Sequence, residues 1–186
     1  KDNDAAFAQS LAQGFDLYVN NAFAVCHRNH ASVSAITKLL PSYAGPLVLR
    51  EVAGLDMAIS APAAGKIVII GGAKASTKVP VIKNFLDKAE HILVGGVVAN
   101  DILKAQGKDV GSSIVDENPQ GLLAGVDMND SRLVVPEDFV IFDEKFLDIG
   151  AATTKKFTEM IGKAVFIIWN GPTGITDNAT MTVALP

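Results

Sequence analysis

Residues 67–78, Ile-Val-Ile-Ile-Gly-Gly-Ala-Lys-Ala-Ser-Thr-Lys, constrain this chain more than any other stretch. The apolar run Ile67 to Ile70 predicts a buried strand, and the amphipathic pattern from Val79 to Glu90 predicts a helix. Gly71 and Gly72 stand between them. A strand that stops on two glycines and opens into a helix presents backbone N–H groups and a helix N-terminus at one point. That arrangement suits an anion, and a phosphate above all. Lys74 and Lys78 bring two positive charges to a helix start, where a cation otherwise works against the dipole.

The pattern recurs. Leu93-Val94-Gly95-Gly96 and Ile167-Ile168-Trp169-Asn170-Gly171-Pro172-Thr173-Gly174 are also apolar runs that end at glycine. One glycine turn after a strand is ordinary turn chemistry. Three on parallel strands line up along the carboxyl edge of a sheet, where open α/β sheets bind ligands. Taken singly, Gly95 and Gly96 read equally as a tight turn or as a close approach to a nucleoside. Asn170 reads as the start of a Gly-Pro turn or as an amide donor to a phosphate oxygen. Neither Gly-x-x-x-x-Gly-Lys-Ser/Thr nor a complete Gly-x-Gly-x-x-Gly opening a helix is present. A P-loop nucleotidase and a standard dinucleotide site are both disfavoured.

Around these turns, strand and helix alternate. Strand Ile92–Val94 precedes helix Val98–Gln106, a short helical stretch is expected at Pro119–Ala124, and Leu133–Val135 and Phe139–Phe142 read as strands. A helix over Thr153–Ile161, capped by Thr153 and stopped by Gly162, leads to a last strand at Val165–Trp169. Such alternation means a parallel sheet with helices on both faces, an α/β fold of Rossmann-like type. Upstream, a helix is expected over Ala5–Gln13 with Gly14 as its stop. A strand follows at Leu17–Val19, a helix over Ala31–Leu40 closed by Pro41, and a helix over Leu47–Ser60. Gly45-Pro46 marks a boundary.

Composition narrows the classes. About half of the 186 residues are apolar, so a substantial core is available. A net charge of −4 without a Lys/Arg cluster disfavours a nucleic-acid surface. No apolar run approaches the ~20 residues of a membrane helix. The lone Cys26 excludes an internal disulfide and suits a reducing cytoplasm. Cys26, His27 and His30 are too closely spaced for a tetrahedral zinc site, and no fourth ligand is evident.

The words GGAKASTK, GGVVAN, LDIG and WNGPTGI, in that order, resemble phosphoglycerate kinase, where the usual forms are close to GGAKVSDK, GGGMAN, LDIG and WNGPMGVFE. Upstream, DLYVNNAFAVCHRNHASV is similar to that family's DVYVNDAFGTAHRAHAS. The agreement runs from about Asp16 to Gly174. The resemblance implies reversible phosphoryl transfer between 1,3-bisphosphoglycerate with Mg-ADP and 3-phosphoglycerate with Mg-ATP. It implies a cytoplasmic, monomeric enzyme with small-molecule substrates, working across a cleft between two domains. Both ends of the chain look cut. Residues 1–45 would then be the end of the phosphoglycerate-binding domain, 46–60 an interdomain helix, and 61–186 most of the nucleotide-binding domain.

By the same resemblance, Lys74 contacts the phosphoryl group in flight and acts as the catalytic residue. Gly71, Gly72, Lys78, Gly95, Gly96, Ile114, Asn170, Gly171, Pro172 and Asp177 bind the nucleotide, with Ile114 against the base and Asp177 at the ribose. Arg28 binds the phosphate of the triose, as a guanidinium fork suits it. The family's magnesium-binding aspartate is expected outside this chain. The chain departs from the pattern at Asn21, Val97, Phe146, Thr176 and Asp177, the last shorter than the family's glutamate. The interval between Phe142 and Leu147 is also shorter than usual, so the adenine side is expected to be differently built. The fragment alone is expected to be inactive. A non-catalytic nucleotide-binding remnant is the alternative from another class; a Rossmann-type oxidoreductase lacks its fingerprint glycines.

Overall fold

The computed structural model describes residues 2–175 and divides into two compact units, Lys1–Ser60 and Ala61–Pro186. In the first unit, α1 (Ala5–Ala12) is capped by Asp4, whose Oδ1 accepts the N–H of Phe7 at 2.6 Å. Gly14, at φ 82°, turns the chain away from it. Strand β1 (Tyr18–Asn20) pairs in parallel with β2 (Ser42–Ala44). Helix α2 (Pro46–Ser60) opens with proline at its first position, where the missing N–H costs nothing. Asn21 caps it from a distance, accepting the N–H of Leu47 at 2.7 Å.

The helix expected over Ala31–Leu40 is not formed. Only Ala35–Lys38 coils, as one turn of 3₁₀ helix. Ser32, Val33 and Ser34 are weak helix formers, and the N–H groups of Val33 and Ser34 both turn back to the His30 carbonyl.

The second unit is built on a four-stranded parallel sheet in the order β5-β4-β3-β8, with β3 Lys66–Ile70, β4 His91–Val94, β5 Leu133–Val134 and β8 Phe166–Asn170. Strand β3 is buried along its whole length, as its unbroken apolar run requires. Alternate residues serve opposite faces. Val68 and Ile70 pack with Val79, Ile82 and Phe85 of α3 (Ala75–Phe85), with Val98 and Ile102 of α4 (Gly96–Ala105), and with Leu123 just past α5 (Pro119–Leu122). Ile67 and Ile69 pack on the other face with Phe157 of α6 (Ala151–Ile161). The α/β sheet with helices on both faces is therefore the architecture.

Three local expectations change. Helix α3 starts at Ala75, four residues before Val79, and ends at Phe85. Thr77 Oγ1 closes its first turn on the Lys74 carbonyl at 2.9 Å, so Lys74 is the cap position and Lys78 lies inside the helix. Phe139–Phe142 does not join the parallel sheet. It forms an antiparallel hairpin of β6 (Phe139–Phe142) with β7 (Lys145–Ile149), a strand hidden in the sequence by its charged ends. The two-residue turn Asp143-Glu144 has φ 50° and 57°, as a tight hairpin demands, and accounts for the short interval before Leu147.

Thr153 is not the cap of α6; Gly150 holds that position. The capping acceptor comes from Asp138, which takes the N–H of Ala152 at 2.9 Å, the N–H of Thr153 at 2.7 Å and the Thr153 hydroxyl at 2.6 Å. Burial alone would raise the Asp138 pKa, but these donors outweigh it and hold the carboxyl below its ordinary value.

Candidate functional site

The carboxyl ends of β3, β4 and β8 meet at three glycine turns packed backbone to backbone. A Cβ on Gly71 would overlap the Pro172 carbonyl, one on Gly171 would overlap the Gly71 carbonyl, and one on Gly95 would press on Thr173. Here glycine is required by close approach of main chain to main chain. The turns are also hydrogen-bonded to one another. Gly71 N–H donates to the Asn170 carbonyl, Gly95 N–H to Ile70, Gly96 N–H to Thr173, and Val97 N–H to Gly72, at 3.0, 2.9, 2.6 and 3.2 Å.

This corrects the simplest reading of the glycine pattern. The N–H groups of Gly71, Gly95 and Gly96 are spent inside the protein and are not bare donors. The N–H groups of Gly72, Ala73 and Lys74, which lead into α3, and of Ala75 and Ser76, which begin it, make no such internal bond among the described residues. The anion-binding character of the edge therefore rests on the start of α3 and on side chains.

Two lysines flank that start in different states. Lys78 is half-buried, and its Nζ donates to Asn170 Oδ1 at 2.5 Å. Side chains on a helix lean toward its N-terminus, which carries the Lys78 ammonium back over the turn to β8. Lys74 is exposed and ion-pairs with no carboxylate among the described residues. One ammonium is pinned and the other is free to move. The Asn170 oxygen is occupied by Lys78, which leaves its amide NH₂ as the outward donor.

Beside the turns lies a cavity of about 270 Å³ with a mostly apolar wall. Gly72, Val97, Ile114, Phe146, Leu147 and Pro172 all line it. Val97 and Phe146, which depart from the family's pattern, are thus both wall residues. The Phe146 ring is stacked on Phe139 with centroids 4.1 Å apart, so it is held by its own hairpin. A cavity of similar size, about 280 Å³, lies at the amino edge of the sheet among Glu90, His91, Lys156 and Glu159. Size does not separate the two. The glycine turns, the paired lysines and the helix start belong only to the first.

Gly71, Gly72, Lys74, Lys78, Gly95, Gly96, Asn170, Gly171 and Pro172 are thus brought to one edge, with Ile114 on the adjoining wall. Arg28 lies in the first unit, exposed, just after the 3₁₀ turn Phe23–Val25, with no ion pair among the described residues. Asp177 lies outside the described residues. Sequence reasoning named Phe146 only as a departure on the adenine side and assigned nothing to Asn100, Lys145 or Leu147, which also line the cavity. Their signal was weak: a polar residue inside an apolar helix, and a strand of mixed charge.

The family model for phosphoglycerate kinase matches residues 1–184. A phosphoglycerate kinase of Methylorubrum populi is 37% identical over 98% of this chain and 52% of its own length, and one of Finegoldia magna is 39% identical over 93% and 50%. The phosphoglycerate kinase structure from Coxiella burnetii superposes with a TM-score of 0.79 at 28% identity, covering 96% of this chain and 52% of that one. That from Pyrococcus horikoshii gives 0.82 at 25% identity, covering 97% and 53%. The chain spans about half the length of the relatives it matches, and it belongs to the phosphoglycerate kinase family.

Proposed function

We propose that the second unit is the nucleotide half of a phosphoglycerate kinase. The complete protein would move a phosphoryl group between the acyl phosphate of 1,3-bisphosphoglycerate and ADP, giving 3-phosphoglycerate and ATP. The observation that carries this is the edge where three glycine turns, the start of α3 and the Lys78–Asn170 pair converge beside an apolar cavity. An apolar slot suits a base, and the charged edge beside it suits the phosphates.

Phosphoryl transfer asks for position and charge more than for covalent help from the protein. The bond from phosphorus to the carboxylate oxygen breaks as the bond to the terminal ADP oxygen forms. Lys78, fixed by Asn170, holds nucleotide phosphate in one place, with the Asn170 amide as a further donor. Lys74, free at the helix cap, follows the group in transit and meets the charge that develops on it. Gly71, Gly72, Gly171 and Pro172 shape the floor, Gly95 and Gly96 let α4 begin beside it, and Ile114 faces the base. Asp177 would serve the ribose. Arg28 holds the triose phosphate, and α2 is the interdomain helix between residues 1–45 and the domain from Ala61 onward.

Bound Mg²⁺ would supply charge neutralisation on the nucleotide's phosphates. Among the described residues no group of three His, Cys, Asp or Glu side chains converges on a point. By the family resemblance the ion's carboxylate ligand belongs elsewhere in the complete protein, and the ion would ride on the nucleotide's phosphates, the usual manner for a small, strongly hydrated cation. No helix among the described residues is long and apolar enough to cross a membrane. A monomeric, cytoplasmic enzyme with small-molecule substrates fits the single exposed Cys26 and the modest negative charge.

The test is a coupled assay with ATP, Mg²⁺ and 3-phosphoglycerate. The complete protein should turn over at ordinary kinase rates of ~1–100 per second, and the 186-residue chain alone at background. In the complete protein, Arg28→Ala should raise KM for 3-phosphoglycerate and leave KM for ATP nearly unchanged. A complete protein without turnover, or an Arg28 effect confined to ATP, would refute the reading.

A further inference from the structure

Ile114 stands on the cavity wall, yet 67% of it is exposed. Its own burial cannot hold it in place. Two adjacent side chains of α4 do so instead. Asn100 Nδ2 donates to the Ile114 carbonyl at 3.1 Å, and Asp101 Oδ1 accepts the N–H of Asp116 at 2.6 Å. The two bonds grip the backbone on either side of Val115. Both side chains are buried, Asn100 to 4% exposure and Asp101 to none.

Burying a carboxyl this completely is costly, and Asp101 Oδ2 has no hydrogen-bond partner among the described residues. Nothing in the packing of α4 calls for an acid at this point. Among the described residues, the one hydrogen bond the carboxyl makes is the loop anchor. The same loop is stitched to the β6–β7 hairpin, which also lines the cavity: Ser112 N–H donates to the Glu144 carbonyl at 2.9 Å, and Ser113 Oγ accepts the N–H of Phe146 at 2.8 Å. Gly111, at φ 56°, lets the loop reach the hairpin, since a Cβ there would overlap the Glu144 carbonyl. One buried pair thus places Ile114 directly, and Phe146 through Ser113.

We propose that Asn100 and Asp101 are positioning residues for the nucleoside, a clamp that fixes the Ile114 loop, and with it the β6–β7 hairpin, to the helix that begins at the Gly95-Gly96 turn. Asp101 acts through the loop that carries Ile114, whereas Asn100 holds the Ile114 carbonyl and also lines the cavity itself. The proposal rests on the nucleotide reading given above.

Calorimetric titration of the 186-residue chain with ADP and, separately, with inorganic pyrophosphate separates the two halves of the site. Asp101→Leu and Asn100→Ala should each weaken ADP on the order of five- to tenfold, the worth of one anchoring hydrogen bond, with pyrophosphate affinity unchanged. Asp101→Asn keeps an acceptor for Asp116 N–H and should retain wild-type ADP affinity, a rescue that a generic packing defect would not show. Amide exchange at Asp116 should speed up in Asp101→Leu and stay slow in Asp101→Asn. If Asp101→Leu does not fold, Asp101→Ala carries the same comparison. Equal loss of ADP and pyrophosphate, or undiminished ADP binding in both variants, overturns the clamp. A wild-type chain that binds neither probe overturns the nucleotide reading and the clamp with it.

Discussion

The Lys78 ammonium donates to the Asn170 side-chain oxygen at 2.5 Å across 92 residues of sequence. The contact ties the first turn of α3 to the end of β8. It gives one of the two lysines a fixed position before any ligand arrives.

A double-mutant cycle should expose that tie. Lys78→Met and Asn170→Ala should each destabilise the second unit and weaken ADP binding. Their combination should cost less than the sum by about 0.5–3 kcal/mol, as for residues in one hydrogen-bonded pair. Urea unfolding and ADP titration of the four proteins measure it. Strict additivity would show that the contact is idle.

Lys74 should behave differently, because nothing pins it. In the complete protein, Lys74→Ala should lower kcat by 10²-fold or more, the usual scale for removing a charge that acts in the transition state, with a much smaller change in nucleotide affinity. Steady-state kinetics alongside ADP binding distinguish the roles. An affinity loss as large as the kcat loss would make Lys74 a second static anchor.

The glycines predict opposite signs at two positions. Gly71→Ala places a Cβ on the Pro172 carbonyl and should destabilise the second unit by more than ~2 kcal/mol. Gly54, inside α2, has open space around it, and Gly54→Ala should stabilise that helix by roughly 0.5–1 kcal/mol. Thermal melts of both variants decide. A silent Gly71→Ala would mean that the turns can separate.

Asp138 should give the second unit a pH-dependent cap. Its folded pKa lies below the ordinary 3.8, so its contribution is complete above pH 3.8 and is lost as the pH falls through the lower folded value. Asp138→Ala should therefore cost about 1–2 kcal/mol at pH 7, the scale of a lost helix cap, and progressively less below pH 3.8. Denaturant midpoints at pH 7, 5 and 3 follow it. A gap between wild type and variant that widens toward acid would contradict the assignment.

Local chemistry made the core of the second unit legible from sequence. Short apolar runs rich in β-branched residues at Ile67–Ile70 and Ile92–Val94, each stopped by glycine, read as strands buried on both faces. Glycine pairs at their ends can only be turns, and the 3.6-residue pattern marks α4 and α6. The ordered motifs also carried the family. Long-range relations stayed hidden. Asp138 rather than Thr153 caps α6, because a cap can come from any acceptor brought near in space. Asn21 caps α2 in the same way. The β6–β7 hairpin escaped because Lys145 and Asp148 break its apolar alternation, while its turn uses Asp143-Glu144 where glycine is the usual signal.

The site divides along the same line. The residue types that suit a phosphate, Lys74, Lys78 and Asn170 beside glycine turns, follow from the sequence alone, since charge and backbone freedom are local properties. Only the tertiary structure decided which N–H groups are spent, which lysine is pinned, and which buried pair holds Ile114 on the cavity wall. Those outcomes depend on distances between segments far apart in the chain, set when both faces of one sheet are buried together. No spacing along the sequence encodes them.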